Sequence, residues 1–170
     1  MEIVLLVRSP NQYSKSAFML DVETLETSFQ LVQAVDGDFA GAFYTNLLGD
    51  YPEIKPLFAN TRMNEQGNHL FNSLKFVVAN LRKSELLEKT LTGLGTRHVK
   101  YGVLPQHYPL VGASLLKTMA SFAGDAWTPP VKQAWVDAYT AIASIMLAGA
   151  DYPSEVIKLA PRVTINLSLG

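Results

Sequence analysis

Cysteine is absent from the chain, and that one absence removes disulfides, thiolate metal sites, thioether-anchored cofactors and cysteine nucleophiles together. Charge is scarce as well: 17% of the residues are charged against 48% hydrophobic, lean for a domain of average composition. Neither sign dominates, since 14 Lys and Arg stand against 15 Asp and Glu, a formal net charge of −1. No basic field is available to hold a phosphate backbone and no lysine cluster suggests a membrane surface, so neither nucleic acid nor membrane is an expected partner. Long hydrophobic runs are missing too. Residues 3–7, IVLLV, are too few for a signal-peptide core or a membrane span, which makes the cytoplasm the expected compartment. Internal repeats and low-complexity segments are not found. Noncovalent or histidine-based chemistry remains, with three histidines to carry it.

At 170 residues the chain is long enough for one domain with a single core, which at this size buries roughly 70% of the surface of the unfolded chain. Residues 1–21 read as an extension, because RSPNQYSKS after the apolar run favours turns and irregular structure. From Val22 the period becomes helical. Leu25, Phe29, Val32 and Val35 form one stripe, with Asp21 as its cap and Asp36-Gly37 as its stop. Asp38 caps a second helix with Phe39, Phe43 and Leu47 inward and Tyr44 on the same broad face. EIKPLF is a short turn of helix that Pro56 keeps from continuing. A long helix starts near Asn64 with Leu70, Leu74, Val77 and Leu81 as its stripe, and Gln66 projects from the side of Leu70.

Ser84 is the expected cap of the next helix, which ends near Gly102, a C-terminal cap residue. Pro105 precedes a helix with Tyr108, Val111 or Gly112, Leu115, Met119 and Phe122 inward, closed by Gly124. Thr128 and Pro129 open the last one, with Val131, Trp135, Ala138, Ile142, Ile145 and Gly149 inward. The expected fold class is therefore all-α, six to seven packed helices over residues 22–150, with extensions at 1–21 and 151–170. In the second extension Val163, Ile165, Leu167 and Leu169 alternate with polar residues or glycine, the period of a strand. That strand can pair with residues 3–7 or order only against a partner.

His98 is the residue that needs explaining. Leu94, Leu91 and Leu87 precede it at i−4, i−7 and i−11 and Tyr101 follows at i+3, so an imidazole falls on the apolar stripe of its helix. A neutral core histidine with both ring nitrogens satisfied is one account of it, and an iron ligand is the other.

Taken in order, Tyr44 in FAGAFYTNLLGDYPEIKPLF, Phe58 fourteen residues later, Gln66 and Leu70 four apart, His98 in GLGTRHVKYGV and Tyr108 in LPQHYPLVG form a pattern that resembles the globins. The likeness is to single-domain bacterial globins and to the globin half of flavohaemoglobins, over roughly residues 22–150. It implies a globin fold around a haem pocket, with haem b held by His98 and flanked by Phe58, Leu70 and Tyr108. A flat apolar disc gains from burial between two aliphatic helix faces, and the second ring nitrogen of an iron-ligating histidine ordinarily donates either to a nearby carbonyl, such as that of Leu94 one turn earlier, or to a neighbouring side chain. On the opposite face the resemblance places Tyr44 and Gln66 as hydrogen-bond donors to a gas ligand, with Phe58 wedged against the ring and Leu70 as the ceiling. Without the resemblance, Tyr44 would read as an ordinary core tyrosine and Gln66 as an exposed first-turn residue.

The implied function is reversible binding of dioxygen, and of NO and CO, with NO dioxygenation if a separate reductase supplies electrons; the expected state is a monomer or homodimer. Two departures limit the likeness. Flavohaemoglobins lean the iron-ligating histidine on a tyrosine and a glutamate; Tyr108 matches the first, but MLAGAD at the end of the last helix holds no glutamate. The chain also shows no flavin or nicotinamide module. A haem-based gas or redox sensor signalling through its terminal extensions is the alternative, and a pigment or fatty-acid binder without haem is the third reading. His69 is assigned to the pocket rim or to solvent, with iron binding if the register is shifted, and His107 to solvent.

Overall fold

A computed structural model describes residues 2–5, 20–35, 37–153, 155–156 and 163–166. The irregular stretch expected at RSPNQYSKS, Asp36, and the outer ends of the two expected strands lie outside these. The described residues form β1 (Glu2–Leu5), α1 (Val22–Ala34), α2 (Phe39–Asp50), a 3-10 helix (Pro52–Phe58), α3 (Met63–Ala79), α4 (Ser84–Lys100), α5 (His107–Ala123), a single 3-10 turn (Gly124–Ala126), α6 (Pro129–Gly149) and β2 (Val163–Asn166). β1 and β2 pair antiparallel, Glu2 opposite Asn166 and Leu5 opposite Val163, so of the two alternatives for the tail it is the paired one that is seen.

Local chemistry sets the helix starts. The Asp21 carboxylate accepts from the Thr24 N–H at 3.0 Å and that of Asp38 from the Gly41 N–H at 2.8 Å, each satisfying one of the donors a first turn leaves over. The expected cap at Ser84 is a correction: Lys83 holds the cap position with no side-chain bond, and Ser84 is already the first helical residue. Val35 is a second correction, because it ends α1 with 44% of its surface exposed. The chain has left helical geometry there, so it no longer shares the face of Leu25, Phe29 and Val32.

Leu25, Phe29, Phe43, Leu47, Leu116, Met119 and Trp135 form the centre of one core drawn from α1, α2, α5 and α6. Burying a side chain of this kind stabilises by roughly 1.5–3 kcal/mol before the loss of chain entropy is counted. Polar ties run through the core. The Trp135 indole N–H donates to the Ser28 hydroxyl at 2.9 Å, joining α6 to α1, and Asn46 donates to Thr118 at 3.0 Å, joining α2 to α5. On α6, Trp135 and Ala138 are buried as the spacing predicts, but so are Tyr139, Ala143 and Met146. A helix covered on several sides buries more than one stripe, and α6 packs on α1, α4 and α5. No helix of the described residues is long and apolar enough to cross a membrane.

Candidate functional site

A short turn joins α3 to α4, yet the two helices scarcely touch along their lengths; α3 lies on α2 and α1, whereas α4 lies on α6. Where the two diverge, apolar side chains of both are only half-buried: Leu70 and Val77 on α3, Leu81 in the turn after it and Leu94 on α4. The 3-10 helix reaches both α2 and the end of α4. Phe58 meets the Tyr44 ring edge to face, centroids 5.6 Å apart, and its neighbour Leu57 lies against Gly102, just beyond the last turn of α4.

On the α4 side, His98 is half-buried and its Nδ1 lies 2.9 Å from the Leu94 carbonyl oxygen. A carbonyl can only accept, so Nδ1 carries the proton and Nε2 keeps its lone pair. Burial also lowers the pKa of the imidazole, with the Leu94 bond partly opposing and Arg97 adding to the shift, so the ring is neutral near pH 7. His98 thus offers one nitrogen donor of fixed tautomer. Among the described residues no three histidines, aspartates or glutamates stand together as a metal cluster.

The backbone under His98 is tightly held. Gly102, at φ +80°, follows α4 in the left-handed region, the Val103 N–H donates to the His98 carbonyl at 3.0 Å and the Gly102 N–H to that of Val99 at 3.0 Å. This is the Schellman arrangement, and glycine is the residue that adopts it without strain. Below, α4 meets α6 so closely that a Cβ on Gly95 would sit 2.0 Å from the Met146 carbonyl oxygen. Thr96 adds a bond of 2.9 Å to the Gly149 carbonyl.

Tyr108 stands beside the imidazole, ring centroids 6.4 Å apart, and Tyr101 flanks it at 6.2 Å. The Tyr108 backbone carbonyl accepts from the buried Tyr139 hydroxyl. Its own hydroxyl is buried without a well-formed hydrogen bond and faces that of Tyr152; burial foremost raises its pKa far above the usual tyrosine range.

On α2, Tyr44 is 8% exposed and packs on Phe43 as well as Phe58. Burial raises its pKa and the nearby Gln66 side chain opposes the rise, so the phenol keeps its proton. The structure therefore brings Tyr44, Phe58 and Gln66 together as one group and His98 with Tyr108 as another. Leu70 is half-buried on α3, one turn after Gln66.

His69 is exposed. His107 departs from expectation: it is half-buried, and its Nδ1 accepts from the Leu104 N–H at 3.0 Å, which ties it into the turn before α5. Sequence reading passed over Tyr152 altogether. An aromatic residue between Asp151 and Pro153, directly after a helix, was the signal available, because that context turns the chain back on itself.

The described geometry has relatives. The family model described as Globin matches residues 41–146. A flavohemoprotein of Bacillus subtilis is 31% identical over 134 residues, which cover 76% of this chain and 34% of that protein, so the chain spans about a third of the length of this relative. Among solved structures, a bacterial globin from Campylobacter jejuni shares 27% identity at a TM-score of 0.66, covering 76% of this chain and 93% of that one. A Pseudomonas aeruginosa protein described as structurally highly homologous to a human hemoglobin superposes with a TM-score of 0.68 at 24% identity, covering 76% and 97%. The architecture of α1 to α6 is the globin fold, and the chain belongs to the globin family.

Proposed function

We propose that a cleft between α3 and α4 binds haem b, which His98 would hold through Nε2, and that the protein binds dioxygen, NO and CO reversibly. The observation that carries this reading is the imidazole of fixed tautomer, neutral at pH 7, its free lone pair beside half-buried aliphatic walls. Both the donor chemistry and the lining suit a flat, mostly apolar macrocycle. When bound, haem iron supplies the reversible coordination of a diatomic gas.

The side chains do the rest. Leu94 holds the imidazole tautomer through its carbonyl, and Tyr108 and Tyr101 limit how the ring can turn. Tyr44, buried and protonated, and Gln66 beside it present donors to a ligand that gathers negative charge as it binds, in a place with little water to compete. Phe58 keeps Tyr44 in position from the side. With Tyr152 rather than a carboxylate facing Tyr108, the histidine gains no added negative charge from that direction, which favours binding over oxidative turnover. NO dioxygenation would in addition need electrons from a separate reductase.

An absorption spectrum of the purified full chain mixed with haemin, then reduced, then exposed to carbon monoxide, tests the reading. The expected result is a histidine-ligated haem spectrum that shifts with carbon monoxide. Free haemin spectra throughout would refute it.

A further inference from the structure

We infer that Tyr152, beyond the last helix, is a positioning residue for His98, holding the turn that ends α4. The chain leaves α6 at Ala150, and Asp151 takes φ 48°, in the left-handed region that aspartate tolerates better than most residues. That reversal points Tyr152 back into the protein, where it is 8% exposed. Its hydroxyl donates to the Val103 carbonyl at 2.5 Å. Val103 is the residue whose N–H caps the His98 carbonyl. One peptide plane to either side of Val103 therefore connects a phenol of the C-terminal segment to the backbone of the proposed iron ligand.

A second contact points the same way. The Tyr152 hydroxyl faces that of Tyr108, whose ring is the neighbour of the imidazole. Tyr152 thus reaches both things that fix the ring: the helix end that carries it and the aromatic face beside it. Helix ends fray, since their final carbonyls lack partners within the helix. The last turn of α4 contains the residue whose placement matters most, and Tyr152 closes it from outside the helical bundle. Asp151 and Tyr152 accordingly belong with the site, and a change in how Tyr152 sits would be felt at His98 through Val103. The consequence at the iron rests on the haem reading; the hold on the turn does not.

The test uses the full chain and Tyr152→Phe, which keeps the ring and removes only the hydroxyl. In the cofactor-free protein, hydrogen exchange at the Val103 amide is expected to quicken about fivefold, the factor that one hydrogen bond of ordinary net strength represents. Amides within α2 should keep their wild-type rates, which separates this effect from general unfolding. In the same samples the nitrogen resonances of His98 are expected to show a smaller share of the Nδ1-protonated form. In haem-loaded ferrous protein the iron–histidine stretching band should shift, and restoring tyrosine should restore it. Unchanged exchange at Val103 would overturn the inference. Faster exchange with the His98 resonances unaltered would overturn it too, by reducing Tyr152 to a structural latch. A wild-type chain that takes up no haem would defeat the haem reading alone, leaving the two cofactor-free measurements to decide on Tyr152.

Discussion

The two walls of the proposed cleft are built by different means. On the α4 side nearly every constraint on His98 passes through backbone: the Leu94 carbonyl on Nδ1, the capped carbonyl of His98 itself, and the close approach of Gly95 to Met146. The α2–α3 side relies on side chains, with Tyr44 stacked among Phe43 and Phe58 and steadied by Gln66. Backbone contacts fix a position and tolerate no added volume. Side-chain contacts set polarity and dryness and leave room to adjust. A metal ligand needs the first and a hydrogen-bond donor to a small gas can work with the second, so the asymmetry matches the division of labour proposed for the site.

If that contrast is real, added volume on the α4 side should be the most damaging change. Gly95→Ala drives a methyl into the Met146 carbonyl, and because neither helix backbone can yield cheaply the loss is expected to be about 3 kcal/mol. For a chain of this size that lowers the thermal midpoint by roughly 6–12 °C, read by calorimetry of the cofactor-free protein. A loss below 1 kcal/mol would mean that the seam is loose. On the other wall Tyr44→Phe should leave the fold intact and quicken dioxygen release about tenfold, if its hydrogen bond is worth roughly 1.4 kcal/mol. Stopped-flow displacement by carbon monoxide measures it, and an unchanged rate would remove Tyr44 from the site.

Smaller still is the effect of Gly67→Ala on α3. A Cβ there would sit 3.1 Å from that of Ala40, a contact a few tenths of an ångström too tight, while alanine gains about 1 kcal/mol of helix propensity over glycine. The two nearly cancel, and urea unfolding should place the variant within about 1 kcal/mol of wild type. A loss as large as that of Gly95→Ala would erase the difference between the walls.

The mildest test is pH. His98 and His107 both have pKa values pushed below the usual 6.5 by burial, though Leu94 and Glu53 respectively oppose the shift. The unfolded chain then takes up protons before the folded one does, so the stabilising difference is complete above pH 6.5 and is lost progressively as pH falls below it. Unfolding of the cofactor-free chain at pH 7.5 and pH 5.5 should show the lower stability at the acid value, and His107→Gln should shrink that difference.

Much of this was legible in the sequence because helical spacing is a strong signal. Leu25, Phe29, Phe43, Leu47, Trp135 and Met119 all went to the core that their phase indicated. His98 could be picked out because an imidazole on a leucine stripe contradicts its surroundings, and the spacing of four made the Leu94 carbonyl one of two partners expected for its second ring nitrogen; the structure selects it. What spacing does not carry is how closely two helices cross. Gly95 reads as a neutral position until Met146 is placed beneath it. Nor does it carry the direction of a side chain after a helix ends, which is why by spacing alone Tyr152 falls in an extension and His107 in solvent. Both depend on a few backbone torsions, such as the positive φ of Asp151, that no residue pattern dictates alone.

The central claim is that iron is held from the α4 wall by one nitrogen. Titrating haemin into the full chain and into His98→Ala, each with and without added imidazole, tests it most directly. Wild type should saturate with a histidine-ligated spectrum, His98→Ala should fail to do so, and imidazole should restore the variant by filling the place of the missing ring. A His98→Ala protein that takes up haem with the wild-type spectrum and no imidazole would contradict the account.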